Sequence, residues 1–400
     1  MRRIKPKLRS PESGVEHRGS PGAESNTERE NRLPFAVRSL VLPLLILAGV
    51  ASLWAGEEPG ENAPPDAKQI QAAIDGGLKW LAARQIKDGP ETGSWESPRY
   101  QAASASLAGL AFLANGYPPG KGEYGAVIER AMKYVRASMS AEGYVGAKDN
   151  SMYVHAIGTL FGLSYLGMSE RPEKERELAE WCRRAINLIL AAQKVQKRSF
   201  EQGGWRYSPY STDSDVSVTS WQLLVLHSAR QCGYEIEDGV FRSALKYINS
   251  AYVETDEGNG FVYRPGVSKS PELAVTGVAV FIKSLLEREE DQRLKKSLEF
   301  LRTTPPSWGG KQYKGYFFFG TFYMAQGMFQ LGEEAWADFA PKIQHILLAH
   351  QEGDGHWEFP PDNKLQGRLA GLSYPTAMGV LILSLDKQYL PMYQRQKRLF

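Results

Sequence analysis

Six stretches of this chain are apolar on nearly every side: residues 102–114, 152–166, 216–231, 272–286, 316–331 and 374–385. All are rich in Ala, Gly, Ser and Thr. A helix that is apolar all round is buried all round, and small side chains let such helices pack closely. Before each lies a stretch of another kind. Gly77-Leu-Lys-Trp-Leu, Ala131-Met-Lys-Tyr-Val, Ala185-Ile-Asn-Leu-Ile, Ala244-Leu-Lys-Tyr-Ile, Ser297-Leu-Glu-Phe-Leu and Ile343-Gln-His-Ile-Leu share one pattern. It reads small or apolar, apolar, polar, bulky, apolar, the stripe of an amphipathic helix. The chain is thus six repeats of roughly 50 residues, each pairing an amphipathic with a buried helix. This predicts an all-α fold, an α/α toroid of six helical hairpins with the buried helices inside and the amphipathic ones outside. The alternative is an open solenoid, which in HEAT-like repeats has shorter loops and a period of roughly 40–47 residues.

Each amphipathic stretch leads into a turn with glycine and usually an aromatic: Gly93-Ser-Trp95, Gly143-Tyr144, Gly204-Trp205, Gly260-Phe261, Trp308-Gly309 and Gly355-His-Trp357. Gln85, Gln193 and Gln351 stand at one equivalent position before three of them. The connections carrying these turns are long (86–101, 194–215, 253–271, 302–315 and 352–373), whereas the returns, such as Gly233–Asp238, are short. Long loops above a rigid scaffold are where function concentrates. The mouth at the N-termini of the inner helices is therefore the expected site, and helix N-termini favour anions. Aromatic side chains gather there. Tyr153, Trp205, Tyr207, Trp221, Tyr316, Phe318, Trp357 and Tyr374, with His155, are the candidate ligand-binding residues; core packing is the alternative for each.

The formal net charge is +3, but residues 1–38 hold nine Lys/Arg against five Glu, so the rest of the chain is close to −1. A near-neutral body offers no electrostatic footprint for nucleic acid. Residues 1–38 read as a disordered polar extension. Residues 39–55, SLVLPLLILAGVASLWA, follow Arg38 and end in small residues, as a secretory signal does. Read as a retained anchor, these about 17 residues are at the short limit for a membrane span. Either reading makes the protein exported, periplasmic or extracellular. Residues 56–66 form a Pro/Gly/Glu linker, 67–390 the toroid and 391–400 a tail.

Gln351-Glu-Gly-Asp-Gly-His-Trp357 is a full Q-x-x-D-G-x-W motif, and Gln202-Gly-Gly-Trp205 and Gln85…Gly93-Ser-Trp95 are looser copies. With the hairpin period, they resemble the QW repeats of the prenyltransferase and squalene cyclase superfamily over about residues 67–390. In such a turn Gln would cap a helix end, Gly allow the turn and Trp pack over the neighbouring hairpin. The resemblance implies a terpenoid-cyclase-like protein, an isomerase of class II type if active, that binds or cyclises an isoprenoid. That class uses a D-x-D-D motif whose middle acid protonates the substrate. Asp213-Ser214-Asp215 matches its first two acids and Val216 replaces the third. Asp215 is thus a candidate proton donor with Asp213 beside it, and it also stands where the N-cap of helix 216–231 belongs. The zinc prenyltransferases of this fold need Asp, Cys and His ligands, but no D-x-C pattern occurs. Neither a metal nor another cofactor is implied.

The only cysteines are Cys182, early in the third outer helix, and Cys232, at the end of its inner partner. In an antiparallel hairpin those ends are neighbours, so an exported chain could close a disulfide there; two buried thiols are the alternative. Against the isoprenoid reading stands a non-catalytic toroid that binds a protein, peptide or glycan at its mouth. Glycan cleavage would need two acids across the mouth, with Asp149, Asp215 and Glu272 as candidates.

Overall fold

The computed structural model describes residues 64–393 except 150, 169–170, 287–290 and 364–368. The extension at 1–38, the signal or anchor at 39–55 and most of the linker lie outside the described residues. Among the described residues, twelve α-helices form six antiparallel hairpins. The outer members are α1 (Ala67–Arg84), α3 (Gly125–Ala137), α5 (Pro172–Lys194), α7 (Asp238–Ser250), α9 (Gln292–Thr303) and α11 (Glu333–Ala349). The inner members are α2 (Gln101–Ala114), α4 (Met152–Tyr165), α6 (Val216–Gln231), α8 (Leu273–Leu286), α10 (Phe317–Leu331) and α12 (Ser373–Leu383). The fourth turn adds an antiparallel pair, β1 (Tyr252–Thr255) and β2 (Gly258–Phe261).

The inner helices pack in a closed cycle, α2 on α4, α4 on α6, α6 on α8, α8 on α10, α10 on α12 and α12 back on α2. In α2, α6 and α8 nearly every residue is buried. The outer helices bury one stripe, for example Phe241, Ala244, Leu245, Tyr247 and Ile248 of α7. The fold is an α/α toroid, and the open solenoid is excluded by the α12–α2 contact.

The repeated Gln, Gly and Trp build one clamp three times. Gln85, Gln193 and Gln351 each donate from Nε2 to a carbonyl of their own turn, Gly93, Gly203 and Gly355 respectively. Each also donates to the next outer helix, at Val127, Val240 and Ala73. The last of these joins the sixth hairpin to the first and closes the ring. Trp95, Trp205 and Trp357 donate from the indole N–H to Leu81, Ile189 and Leu347, the carbonyl four residues before each Gln. Leu81 and Leu347 lie among the last four residues of their helices, where carbonyls lack an N–H four residues on, and Ile189 lies just before the last turn of α5. Each tryptophan is thus tied to the end of its own outer helix, and the Trp357 ring also packs against Gly77 of α1, on the neighbouring hairpin as expected. Gly203 and Gly355 have φ of 97° and 98°, the left-handed region. A Cβ on either would collide with the backbone oxygen of Ser243 or Gly76 on the next outer helix.

The end of the barrel opposite the long loops is closed by the chain's own C-terminal segment. Leu390, Met392 and Tyr393 are buried, the short helix Pro391–Tyr393 packs on α4 and α6, and Gln330 donates to the Tyr393 carbonyl at 2.7 Å. Leu390–Tyr393 therefore pack as part of the barrel's closed end. Among the described residues no helix is long and apolar enough to cross a membrane.

Candidate functional site: an aromatic cup in the barrel mouth

The first turns of the inner helices surround a cavity of about 700 Å³, within the range typical of small-molecule sites. Its deeper wall is apolar, made by Leu107 of α2, Val154 and Ile157 of α4, Trp221 of α6, Val275 of α8 and Phe319 of α10. Its rim is polar and tyrosine-rich, with Tyr100, Tyr153, Tyr207, Tyr263, Tyr316 and Tyr374 joined by Arg99, Glu272 and Lys314. Trp221 is held by stacking on Phe322 at 6.0 Å and by the edge of Tyr323 at 5.3 Å. A smaller depression on the outer face of α11, among Ala337, Asp338, Pro341 and Lys342, is remote from these groups.

The structure thus brings Tyr153, Tyr207, Trp221, Tyr316 and Tyr374 to the wall of one cavity. It places four other candidates elsewhere. Trp205 and Trp357 are buried, held to their own outer helices by the indole bonds described above. Phe318 points away from the cavity into a cluster with Trp308, Phe317 and Phe359, because the helical rotation between neighbouring residues gives Phe319 the inward direction. His155 is fully buried between the second turn and the outer layer. Its Nδ1 accepts the Val145 N–H at 3.1 Å and its Nε2 donates to the Ala185 carbonyl at 3.1 Å. With both ring nitrogens satisfied, desolvation lowers its pKa to about 4, and it stays neutral.

Asp215 is the N-cap of α6. Its Oδ1 accepts the Val218 N–H at 2.8 Å, and its Oδ2 takes Arg206 Nη1 at 3.1 Å. It is fully buried and contributes nothing to the cavity wall. Burial raises its pKa to about 6, against the Val218 bond and the Arg206 charge, which pull it down. Arg206 Nε reaches Asp213 at 3.2 Å, and Arg264 bridges Asp213 at 3.1 Å and the buried Glu201 at 2.9 Å. Two guanidiniums and three carboxylates therefore fasten the loop at 194–215 to the loop at 253–271. The Tyr207 and Tyr263 hydroxyls are hydrogen-bonded to each other, and the Arg206 guanidinium lies over both rings, 4.6 and 5.6 Å from their centroids. The tyrosines present the network's outer face to the cavity.

Of the acids considered for glycan cleavage, only Glu272 lines the cavity, and it is paired with Lys314 at 3.1 Å. Asp149 is half-buried outside the cavity wall; desolvation raises its pKa to about 6, and the Arg99 and Lys148 charges oppose that rise. Cys182 and Cys232 are both free thiols, which overturns the expected disulfide. Each is tied separately to the last turn of α4: Cys182 packs against Gly162, and Cys232 Sγ donates to the Leu163 carbonyl at 3.5 Å. Burial pushes the Cys232 thiol up to about 11 and the Cys182 thiol further, so neither forms the reactive thiolate at neutral pH. Among the described residues no three His, Cys, Asp or Glu side chains gather where they could hold a metal.

Sequence comparison matches the chain to no family profile and to no curated protein. Comparison with solved structures finds the same toroid. A point variant of the type II terpene cyclase MstE from Scytonema, in complex with its substrate geranylgeranyl dihydroxybenzoate, is 12% identical with a TM-score of 0.50. That match covers 82% of this chain and 99% of the other. An inactive variant of the alpha-1,6-mannanase GH76A of Salegentibacter, in complex with alpha-1,6-mannotriose, is 9% identical with a TM-score of 0.55, over 81% and 100%. A family 76 glycoside hydrolase (mannosidase) from Bacteroides thetaiotaomicron is 10% identical with a TM-score of 0.53, over 80% and 98%. At these identities the likeness is one of fold. The chain has the α/α toroid architecture, which serves both a terpene cyclase and glycoside hydrolases, and its chemistry rests on its own residues.

Proposed function

We propose that this protein binds an elongated apolar molecule of isoprenoid type in the cup of its toroid and does not transform it by acid catalysis. The observation that carries the reading is the lining. Leu107, Val154, Ile157, Trp221, Val275 and Phe319 make the wall between the inner helices mostly apolar; among its polar groups are the Ser104 hydroxyl, already bonded to the Ala370 carbonyl, the Ser217 hydroxyl and the Trp221 N–H. A sugar there would lose its hydrogen bonds to water and regain few, whereas a hydrocarbon chain gains about 25 cal/mol per Å² of apolar surface removed from water. The geometry of Asp215 supports binding over cyclisation. An acid that caps a helix, pairs with an arginine and lies behind Tyr263 is not in reach of a bound alkene. The sequence carries neither the third acid of D-x-D-D nor any Asp-Asp dipeptide, the pair replaced in the inactive mannanase variant. With residues 39–55 read as an export signal or anchor, the toroid acts outside the cytoplasm; fractionation of the full chain tests that part.

Calorimetric titration with farnesol and with mannotriose tests the binding. The expected outcome is saturable binding of farnesol, no heat from the sugar, and loss of farnesol binding in Ala103→Trp, which fills the cavity, with the helical circular dichroism retained. Saturable binding of the sugar without farnesol would transfer the cup to the glycan reading.

A further inference from the structure

The polar end of the cup carries one more cation than it has acids. Arg99, Glu272 and Lys314 line it, and two cations against one acid leave the rim net positive. Arg99 is exposed, lies over the Tyr100 ring at 5.4 Å, and makes no ion pair among the described residues. The one acid that its charge is seen to influence is Asp149, outside the cavity wall. Lys314 is held at φ 49° between the buried Tyr313 and Gly315. A lysine adopts that left-handed backbone only where its surroundings hold it, and here the result is an ammonium kept at the cavity with Glu272 as its partner. Four inner helices, α2, α4, α10 and α12, begin at the cavity, and no side chain caps their first turns. Their positive ends face the same rim. By contrast α6, whose N-terminus is occupied by Asp215, is neutralised from within.

We propose that the cup takes a single-chain amphiphile tail first and that Arg99 and Lys314 hold its anionic head, a carboxylate or a phosphate, at the rim. The inference rests on the binding reading above and adds the sign of the head. The depth of the cup sorts the two ends: hydrocarbon against Leu107, Ile157 and Val275, and charge against the guanidinium, which offers a carboxylate or phosphate a two-pronged contact.

Three ligands sharing one isoprenoid chain separate the terms: farnesol, farnesoate and farnesylamine. At low salt, farnesoate should bind about tenfold more tightly than farnesol, and farnesylamine most weakly. Raising the salt should shrink the farnesoate advantage, because a rim exposed to solvent is screened. Arg99→Gln should remove most of the advantage of farnesoate over farnesol, whereas Lys296→Gln on the outer helix α9 should leave it intact. Acetate alone should not compete, since it lacks the tail. Equal affinity for farnesol and farnesoate, or an advantage untouched by Arg99→Gln, would overturn the proposal while leaving apolar binding standing. Competition by acetate would replace the tail-first mode with a free-anion site. Failure of all three chains to bind would remove the cup reading and this inference together.

Discussion

Hairpins two and three solve the same structural problem with different side chains. In hairpin three, Thr219, the fourth residue of its inner helix, accepts the N–H of Trp205 and so latches the turn to α6. Thr276 and Thr376, fourth in α8 and α12, do the same for Phe261 and Trp357. Gln193 then ties that turn to the next outer helix. Hairpin two has no glutamine before its turn, where Met139 stands at the equivalent position, and Tyr144 replaces the tryptophan. Its fourth inner-helix residue is His155. One ring nitrogen latches Val145, as the threonines do, and the other reaches Ala185 on the next outer helix, which is the glutamine's task. One imidazole thus combines a latch and a bridge. A histidine one turn into an inner helix looks like site chemistry, but here it is a two-ended backbone clamp.

The comparison is broken most severely by removing the imidazole. His155→Ala leaves the Val145 N–H and the Ala185 carbonyl buried without partners and opens a hole, at a cost of about 3–5 kcal/mol. Thr219→Val loses only the latch and should cost about 1–2 kcal/mol. His155→Thr should fall between them, restoring the latch without the bridge. Urea midpoints of the three variants decide the order, and equal costs for His155→Ala and Thr219→Val would show that the bridge to Ala185 carries nothing.

Acidity sharpens the same contrast, because His155 and Asp215 are both fully buried with shifts of opposite sign. His155 is lowered from 6.5 to about 4, so its contribution is complete above pH 6.5 and is lost as pH falls through 4. Asp215 is raised from 3.8 to about 6, so its contribution is complete below pH 3.8 and is lost as pH rises through 6. Each swing is about 3 kcal/mol, and between pH 4 and 6 they oppose each other. Asp215→Asn keeps the cap but removes the opposing titration, so its urea midpoint should fall more steeply than that of the wild type between pH 6.5 and 4.5. His155→Thr should shift the slope the other way. Parallel profiles for all three proteins would contradict the linkage.

Most of the toroid was legible because burial on every side leaves no polar period, and six such stretches admit few arrangements. The mouth was legible from loop length. The direction of single side chains was not. Phe318 and Phe319 are neighbours of one type, and only the helix phase set by packing decides which enters the cup. Asp215 matched part of a catalytic motif for a local reason, since an aspartate before an apolar helix satisfies its first N–H groups. The rim cations were overlooked although a signal existed. Arg99-Tyr100, Arg206-Tyr207 and Tyr263-Arg264 repeat an arginine beside a tyrosine in the loops at 86–101, 194–215 and 253–271. All three tyrosines line the cavity. The disulfide failed as an expectation because adjacency of helix ends fixes neither the direction nor the packing of two thiols.

The glutamine clamps stand with Thr219 at the mild end, and they probe the ring itself. Gln193→Ala and Gln351→Ala remove the same two bonds, one within the turn and one to the next outer helix. A carbonyl retains a second lone pair and some access to water, so each loss should cost about 1–2 kcal/mol, less than His155→Ala. For Gln193 the partner helix is α7, the outer helix of the next hairpin in the chain, 47 residues on at Val240. For Gln351 it is α1, 278 residues away at Ala73. In a closed toroid the two substitutions cost the same, and Gln351→Ala also speeds hydrogen exchange in the α1 amides around Ala73. In a ring that opens in solution between its last and first hairpins, Gln351→Ala would cost nothing while Gln193→Ala kept its full effect. Equal costs would show that hairpins adjacent only through closure are joined as firmly as those adjacent in sequence.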